Sequence, residues 1–311
     1  MVSIVFLGFG TYGAASLGGL LKRFGSKAVK LVVTHPEQKG NDASKLVKEL
    51  ALSKGIEVCE SFNLLEISAV ERIKECEAAF IVSTNWRRKI PSSVFSQARI
   101  AALNIHDALL PDFGGLGAEQ WVILKGEKKT GVTVHLIDEL MDAGSIVLQK
   151  AFKISPNDTA EDIVQTQLEI YPKIICKAIN GLLSGKLEPR PLPPMAYRRY
   201  HSFTYEDRQL RFDCPPEMIM RQIRAFFGRY GHCWIALDGQ HYNVIDVTVP
   251  EYNFDGIPGR VVTHLSDGVA VATKPCDKTQ AAGIVIKKIQ DQDGIIIPAW
   301  TLLKKNLQLA A

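Results

Sequence analysis

Apolar residues along the first 185 positions fall into short runs separated by stretches of helical spacing. Residues 3–7 form a run of β-type side chains ending at Gly8, and residues 14–24 then place apolar side chains three and four apart. A second run over 28–34, rich in Val and Leu, stops at His35-Pro36. Helical spacing returns over 43–53, and apolar runs follow at 79–83 and 101–105. Strands alternating with helices predict a parallel sheet covered on both faces. Residues 131–137 and 145–154 predict two more strands. Asn157-Asp-Thr159 supplies helix N-cap residues, and Thr159 with Asp162 forms a capping box with Asp in place of Glu. The helix that follows runs towards Leu183 and stops near Gly185.

The pattern then changes. Leu187-Glu-Pro-Arg-Pro-Leu-Pro-Pro194 has four prolines in eight residues, which no helix or central strand tolerates, so it predicts an extended, semi-rigid linker. Beyond it, residues 215–227 predict a helix. Residues 233–237 and 241–247 predict a hairpin around Asp238-Gly-Gln, and 260–263, 269–273 and 284–289 predict further short strands, together a small β-barrel. The expected division is 1–187 for the first domain, 188–210 for the linker and 211–311 for the second domain. Phe226, Phe227 and Trp234 are expected in its core.

Composition narrows the function. The 311 residues are 46% hydrophobic and 23% charged, an ordinary globular balance. A net charge of +4 is too small to indicate a nucleic-acid binder by itself. No apolar stretch reaches the roughly 18 residues of a membrane span, and the N-terminus lacks a basic region followed by an apolar signal segment, so a cytoplasmic location is expected. The six cysteines lie far apart and read as reduced thiols; no His/Cys/carboxylate spacing predicts a metal site.

Gly8-Phe-Gly10-Thr-Tyr12-Gly13 matches the glycine pattern of dinucleotide sites. Such sites also need a carboxylate at the end of the next strand, to hold the ribose. That strand ends Val33-Thr34-His35-Pro36 and has neither the acid nor an Arg. No nicotinamide is expected, and the glycines read as tight β-α turn geometry. Tyr12, in the same loop, is a candidate substrate contact.

Leu103-Asn104-Ile105-His106-Asp-Ala-Leu109-Leu110-Pro111 follows a buried strand. Asn104 and His106 are two apart, so their side chains share one face at the carboxyl end, where open α/β sheets place ligands. An amide beside an imidazole can polarise a carbonyl and stabilise an oxyanion; a polar core network is the other reading of the pair. Asp142, in the loop after the strand at 131–137, can approach and orient His106 if that strand is a neighbour. His135 reads as a satisfied core histidine.

The sequence N-x-H-x-x-L-L-P, then G-V-T-x-H, then D-A-G resembles the formyltransferase family, over nearly the whole chain. Gln209-Leu-Arg-Phe212, Pro258-Gly-Arg-Val-Val262 and Gly283-Ile-Val-Ile-Lys287 resemble its C-terminal part. The resemblance implies an α/β fold: a Rossmann-like parallel-core sheet with helices on both faces, followed by a small OB-like barrel. It implies catalytic roles for Asn104, His106 and Asp142, with 10-formyltetrahydrofolate as donor and an amine nitrogen attacking the formyl carbon through a tetrahedral intermediate. Related hydrolase-type domains carry an apolar residue where Asn104 stands, so the amide favours transfer. Thr84-Asn-Trp86-Arg87-Arg88-Lys-Ile90-Pro91 resembles the loop that walls the folate pocket. There Trp86 or Ile90 could pack on the pterin, and the basic side chains could attract the glutamyl tail; an aromatic plug in a solvated basic loop is the alternative. Asp138, Glu139 and Leu140 form the other expected wall.

For the acceptor, the tRNA-acting branch carries a long basic insertion after its second strand, whereas residues 36–43 here are short and nearly neutral, which argues against nucleic acid. The family's L-L-P-x-x-R-G pattern is also broken, since residues 111–115 contain no Arg, so the relatives' substrate contacts do not carry over there. Glu119 is a candidate contact for a cationic acceptor; an exposed place on a first helical turn is the alternative. Val33-Thr-His35-Pro36, Asn85-Trp-Arg87 and residues 283–294 look closest to the hydroxyornithine branch. The favoured acceptor is therefore a small amine or hydroxylamine of ornithine type, with an amino-sugar nucleotide second. Oligomeric state stays open.

Overall fold

Five short strands rich in Val, Ile and Leu build the parallel part of the first sheet in the computed structural model, which describes residues 2–37, 42–64, 66–193, 198–251, 254, 256–275 and 282–309. They are Ile4–Gly8 (β1), Val29–Thr34 (β2), Val58–Glu60 (β3), Phe80–Thr84 (β4) and Ala101–His106 (β5). Every residue of β1 and β4 is buried, so alternation vanishes and each strand reads as a continuous apolar run. Helices Gly10–Phe24 (α1), Leu46–Leu52 (α2), Ile67–Glu75 (α3) and Ser92–Phe95 (α4) connect them. The sequence pattern predicts neither β3 nor α3: three residues are too few to show a period, and α3 is mostly polar.

After β5 come Gly114–Gly115 (β6), Ala118–Leu124 (α5), Lys129–Leu136 (β7), Ile146–Lys153 (β8), Ala160–Leu183 (α6) and Arg199–Tyr200 (β9). The main sheet has the order β3-β2-β1-β4-β5-β7-β8. β1 to β5 run parallel; β7 is antiparallel to β5, and β8 to β7. The parallel core is as expected, and β7 and β8, joined by a short loop that only an antiparallel pair permits, extend it as an antiparallel edge. Strand order reverses between β1 and β4, the point at which such sheets open a crevice. The glycine pattern serves packing there. A Cβ at Gly13 would lie 2.9 Å from Val47 and 3.1 Å from the Gly8 backbone, so α1 rests directly on its neighbours.

The chain divides into two compact units. The first comprises residues up to Ala118, Lys128–Ile154 and Val164–His201; the second comprises Glu119–Glu127, Ser155–Ile163 and the chain from Ser202 onward. This differs from the contiguous division drawn on the sequence, because two segments of the N-terminal part pack with the second unit. Linker residue Arg190 forms an antiparallel bridge with Ile146 in the first unit, while linker residues 194–197 lie outside the described residues, as do residues 38–41 and Cys276.

The second unit holds Pro216–Ala225 (α7) and an antiparallel half-barrel sheet of Trp234–Leu237 (β10), Gln240–Thr248 (β11), Val261–His264 (β12), Val269–Ala272 (β13), Gly283–Gln290 (β14) and Ile296–Pro298 (β15). The β10–β11 turn has φ of +51° at Asp238 and +76° at Gly239, as a two-residue hairpin with the strands' own twist requires. Register shifts in β11 bend the sheet. Phe226 and Trp234 are in its core, but Phe227 is exposed. The Thr159–Asp162 capping box is formed: the Thr159 N–H donates to Asp162 (2.9 Å) and the Asp162 N–H to Thr159 Oγ1 (3.3 Å). Among the described residues no helix is long and apolar enough to cross a membrane.

Candidate active site

The register of β5 against β7 sets the site. Asn104 lies opposite His135, and His106 opposite Thr133. Directly opposed residues of an antiparallel pair point to the same face, so four polar side chains project together, with apolar Leu103, Ile105, Val132 and Val134 between them. His135, expected as a core histidine, is buried and satisfied, but its partners are the candidate catalytic groups. The signal was present in the sequence: Thr133 and His135 repeat the i, i+2 polar spacing of Asn104 and His106.

Hydrogen bonds fix the tautomers. His135 Nδ1 lies 2.7 Å from the Leu136 carbonyl, which can only accept, so Nδ1 carries the proton. Its Nε2 then accepts from the Asn104 amide at 3.1 Å. His106 Nε2 donates to the Phe113 carbonyl at 2.8 Å. His106 Nδ1 therefore faces the carboxylates, 3.3 Å from Asp107 Oδ1 and 3.8 Å from Asp142 Oδ1. Asp142 Oδ1 is also 3.6 Å from His135 Nε2, and Asp142 Oδ2 accepts the Gly115 N–H at 2.9 Å. The structure thus links Asn104 to Asp142 through His135 Nε2, and Asp142 to His106 directly. Burial alone would raise the Asp142 carboxyl. The neighbouring charge of His106 and the Gly115 N–H outweigh burial and hold it well below the usual range. Asp142 is therefore a buried anion at neutral pH.

Backbone devices hold this geometry. Phe113 and Asp142 both have left-handed φ (+58° and +59°), which for a Phe costs about 1–3 kcal/mol and persists only under surrounding constraint. Thr133 supplies part of that constraint, donating to the Ala108 carbonyl (2.6 Å) and accepting from the Leu110 N–H (3.1 Å), so the loop after His106 is tied back onto β7. β6 pairs in parallel with linker strand β9, and Phe113 stacks on Tyr200 at 5.1 Å. Gly115 is required here, since its φ is +98° and a Cβ would meet the Tyr200 carbonyl oxygen at 2.3 Å. Sequence reasoning missed Gly115 because its partner is 85 positions away in the chain.

Gly144, the glycine of D-A-G, backs onto β7, and a Cβ there would lie 1.9 Å from the Leu136 carbonyl oxygen. Neither backbone can yield without moving the loop that carries Asp142. Gly144→Ala is expected to destabilise the protein by about 1–3 kcal/mol, the range for overpacking a tight site, measured by urea unfolding. An unchanged midpoint would contradict the close approach.

The other expected site residues divide. Loops 84–91 and 137–143 meet through the Lys89–Glu139 ion pair at 3.0 Å, and the Lys89 hydrogen bond lowers the Glu139 carboxyl. Leu140 is 67% exposed beside them, while Asp138 caps the Glu139 N–H at 2.6 Å. Trp86 and Ile90 instead belong to the buried cluster beneath β1 and β4. Trp86 stacks on His35 with ring centroids 4.1 Å apart, so it is an aromatic plug and not an exposed platform. Burial lowers the His35 imidazole and keeps it neutral below two cations, Arg87 over the Phe9 ring (5.2 Å) and Arg88 over Phe62 (5.8 Å). Pro91 caps α4. Tyr12 is buried, its ring stacked on Tyr171 and its hydroxyl donated to Gln167. Glu119 is not exposed: it is buried and accepts a hydrogen bond from the Tyr230 hydroxyl in the second unit. Among the described residues no group of His, Cys, Asp and Glu could hold a metal.

Residues 2–179 match the family model described as formyl transferase, and residues 202–307 match that of its C-terminal domain. A methionyl-tRNA formyltransferase of Clostridium tetani is 26% identical over 292 residues, covering 93% of this chain and 92% of that protein. One from Thermodesulfovibrio yellowstonii is 29% identical over 192 residues, covering 60% and 62%. Among solved structures, an N-formyltransferase from Helicobacter canadensis in complex with folinic acid and dTDP-3-aminofucose superposes with a TM-score of 0.68 at 20% identity, covering 92% of this chain and 99% of that one. HypX from Aquifex aeolicus in complex with tetrahydrofolic acid gives 0.58 at 19% identity, covering 97% of this chain and 46% of that one.

Proposed function

Because the chain belongs to the formyl transferase family, we propose that it moves a formyl group from 10-formyltetrahydrofolate to the nitrogen of a small-molecule amine or hydroxylamine. The observation that carries this reading is the convergence of an oriented amide, an imidazole and a buried carboxylate at the carboxyl end of β5. One N–H of the Asn104 amide is engaged by His135, leaving the second to donate to an oxygen arriving at the strand end. His106 sets its ring beside that oxygen with Nδ1 towards two carboxylates, where an imidazolium stabilises the charge that develops as the nitrogen attacks. Asp142 stays ionised and balances the imidazole. Folate would supply the activated one-carbon unit.

Loops 84–91 and 137–143 fit a flat, anionic donor. Exposed Leu140 offers an apolar face that a ring would cover, and Arg87 and Arg88 offer cations for a carboxylate tail. With Trp86 buried against His35, its part is to support this wall from beneath.

For the acceptor, the short, nearly neutral segment 36–43 disfavours tRNA, and the likeness of residues 33–36, 85–87 and 283–294 to the hydroxyornithine branch favours a small molecule of ornithine type. The test is incubation with 10-formyltetrahydrofolate and, separately, ornithine, N-hydroxyornithine, a dTDP-amino sugar and methionyl-tRNA, followed by mass spectrometry. The expected result is a mass gain of one CO on the ornithine-type acceptor. Formylation of the sugar or the tRNA instead would overturn the acceptor. Release of formate with no acceptor would overturn transfer in favour of hydrolysis.

A further inference from the structure

The carboxylate nearest the His106 ring is not Asp142 but Asp107, the next residue in the chain: 3.3 Å against 3.8 Å from Nδ1. We propose that Asp107 is a second carboxylate partner of His106, a positioning residue that fixes the orientation and charge of the imidazole together with Asp142.

Three features converge on this role. First, His106 Nε2 is committed to the Phe113 carbonyl, so Nδ1 is the ring position left to gain or lose a proton, and both carboxylates face it. A neutral ring would turn a lone pair towards two anions; a protonated ring turns an N–H towards them. Second, the Asp107 backbone is pinned. Its carbonyl accepts a 2.6 Å hydrogen bond from Gln167, a wholly buried side chain of α6 that also takes the Tyr12 hydroxyl. One residue on, the Ala108 carbonyl is held by Thr133. A carboxylate on a backbone fixed at both sides loses little freedom in facing the ring. This also gives Tyr12 and Gln167 a function: they brace the residue beside His106 from α1 and α6.

Third, the two carboxylates differ in setting. The Asp142 side chain is 7% exposed and is shared with His135 and the Gly115 N–H, whereas that of Asp107 is 24% exposed and belongs to the His106 turn alone among these contacts. Asp107 can therefore remain hydrated while it offsets the charge of the ring. Among the described contacts, the titratable groups facing His106 are Asp107 from the loop after β5 and Asp142 from the loop after β7, with His135 of β7 beside Asp142; α6 contributes uncharged Gln167.

The inference rests on the reading of His106 as the group that holds the formyl oxygen, but its test does not. The imidazole resonance of His106, assigned by its loss in His106→Asn, is titrated by NMR in the wild type and in Asp107→Asn. Removing an anion beside a cationic ring disfavours the charged form, so the midpoint is expected to fall by about one pH unit. The alkaline limb of the kcat profile should move down by the same interval with KM for both substrates unchanged, and Asp107→Glu should recover part of both shifts. An unmoved midpoint in folded Asp107→Asn, or a change in KM alone, overturns the proposal. Should Asp107→Asn fail to fold, Asp107→Ser, which keeps a small polar side chain, is titrated in its place. If the wild type formylates no acceptor, the NMR titration still decides the role of Asp107, while the catalytic reading of His106 falls separately.

Discussion

Replacing His106 with alanine is expected to lower kcat by about 10²–10³-fold, and Asn104→Ala by a similar factor, the usual effect of removing one donor to a developing oxyanion. Binding of the folate donor, measured by fluorescence titration, should hardly change. The reason lies in how each group is held. The Asn104 amide is aimed by His135, and the His106 ring by the Phe113 carbonyl and two carboxylates, so both are oriented before substrate arrives. Such groups act on the charge that appears in the transition state and touch the ground state weakly, so the loss falls on kcat. The double variant should lose less than the product of the two factors, because both donors serve one oxygen. Near-native turnover in either single variant would remove that residue from the mechanism.

Asp142→Asn is expected to damage both catalysis and stability. The substitution keeps the shape and the contact to the Gly115 N–H, but removes the buried charge between His106 and His135. Removing one partner of a buried charge pair costs about 3 kcal/mol, and kcat should fall by about 10²-fold or more as His106 loses its buried counter-charge. The stability effect has a pH signature. The Asp142 carboxyl is lowered in the folded protein, so it favours folding wherever the unfolded chain would also be ionised, above about pH 4. That contribution is lost as pH falls through the lowered native value. Urea unfolding should therefore show wild type well above Asp142→Asn at pH 7, with the gap narrowing on acidification. A gap constant from pH 7 to pH 3 would mean that Asp142 carries no charge in the fold.

Much of this was legible before any coordinates. The runs at 3–7, 28–34, 79–83 and 101–105 became β1, β2, β4 and β5 because strands that are wholly or largely buried show little polar alternation to obscure them. Asn104 and His106 shared a face because strand geometry has a period of two. What stayed illegible was the partner of each residue. His135 carried the same spacing as the pair but no mark of which strand it would oppose. Glu119 had the composition of a surface turn and was instead buried under Tyr230. Trp86 looked like a platform for a flat ligand and proved to be a plug on His35.

The amino-acid sequence by itself determined most of the segments that become strands and helices, β3 and α3 excepted, and which polar side chains sit at the carboxyl end of β5; these follow from local periodicity and turn chemistry. Only the tertiary structure decided that β7 would lie antiparallel against β5, that β9 would return to close on Gly115, and that Asp107 would stand nearer to His106 than Asp142 does. Those outcomes depend on contacts between residues far apart in the chain and on angstrom-scale placement of charge, and no pattern along a single strand encodes either.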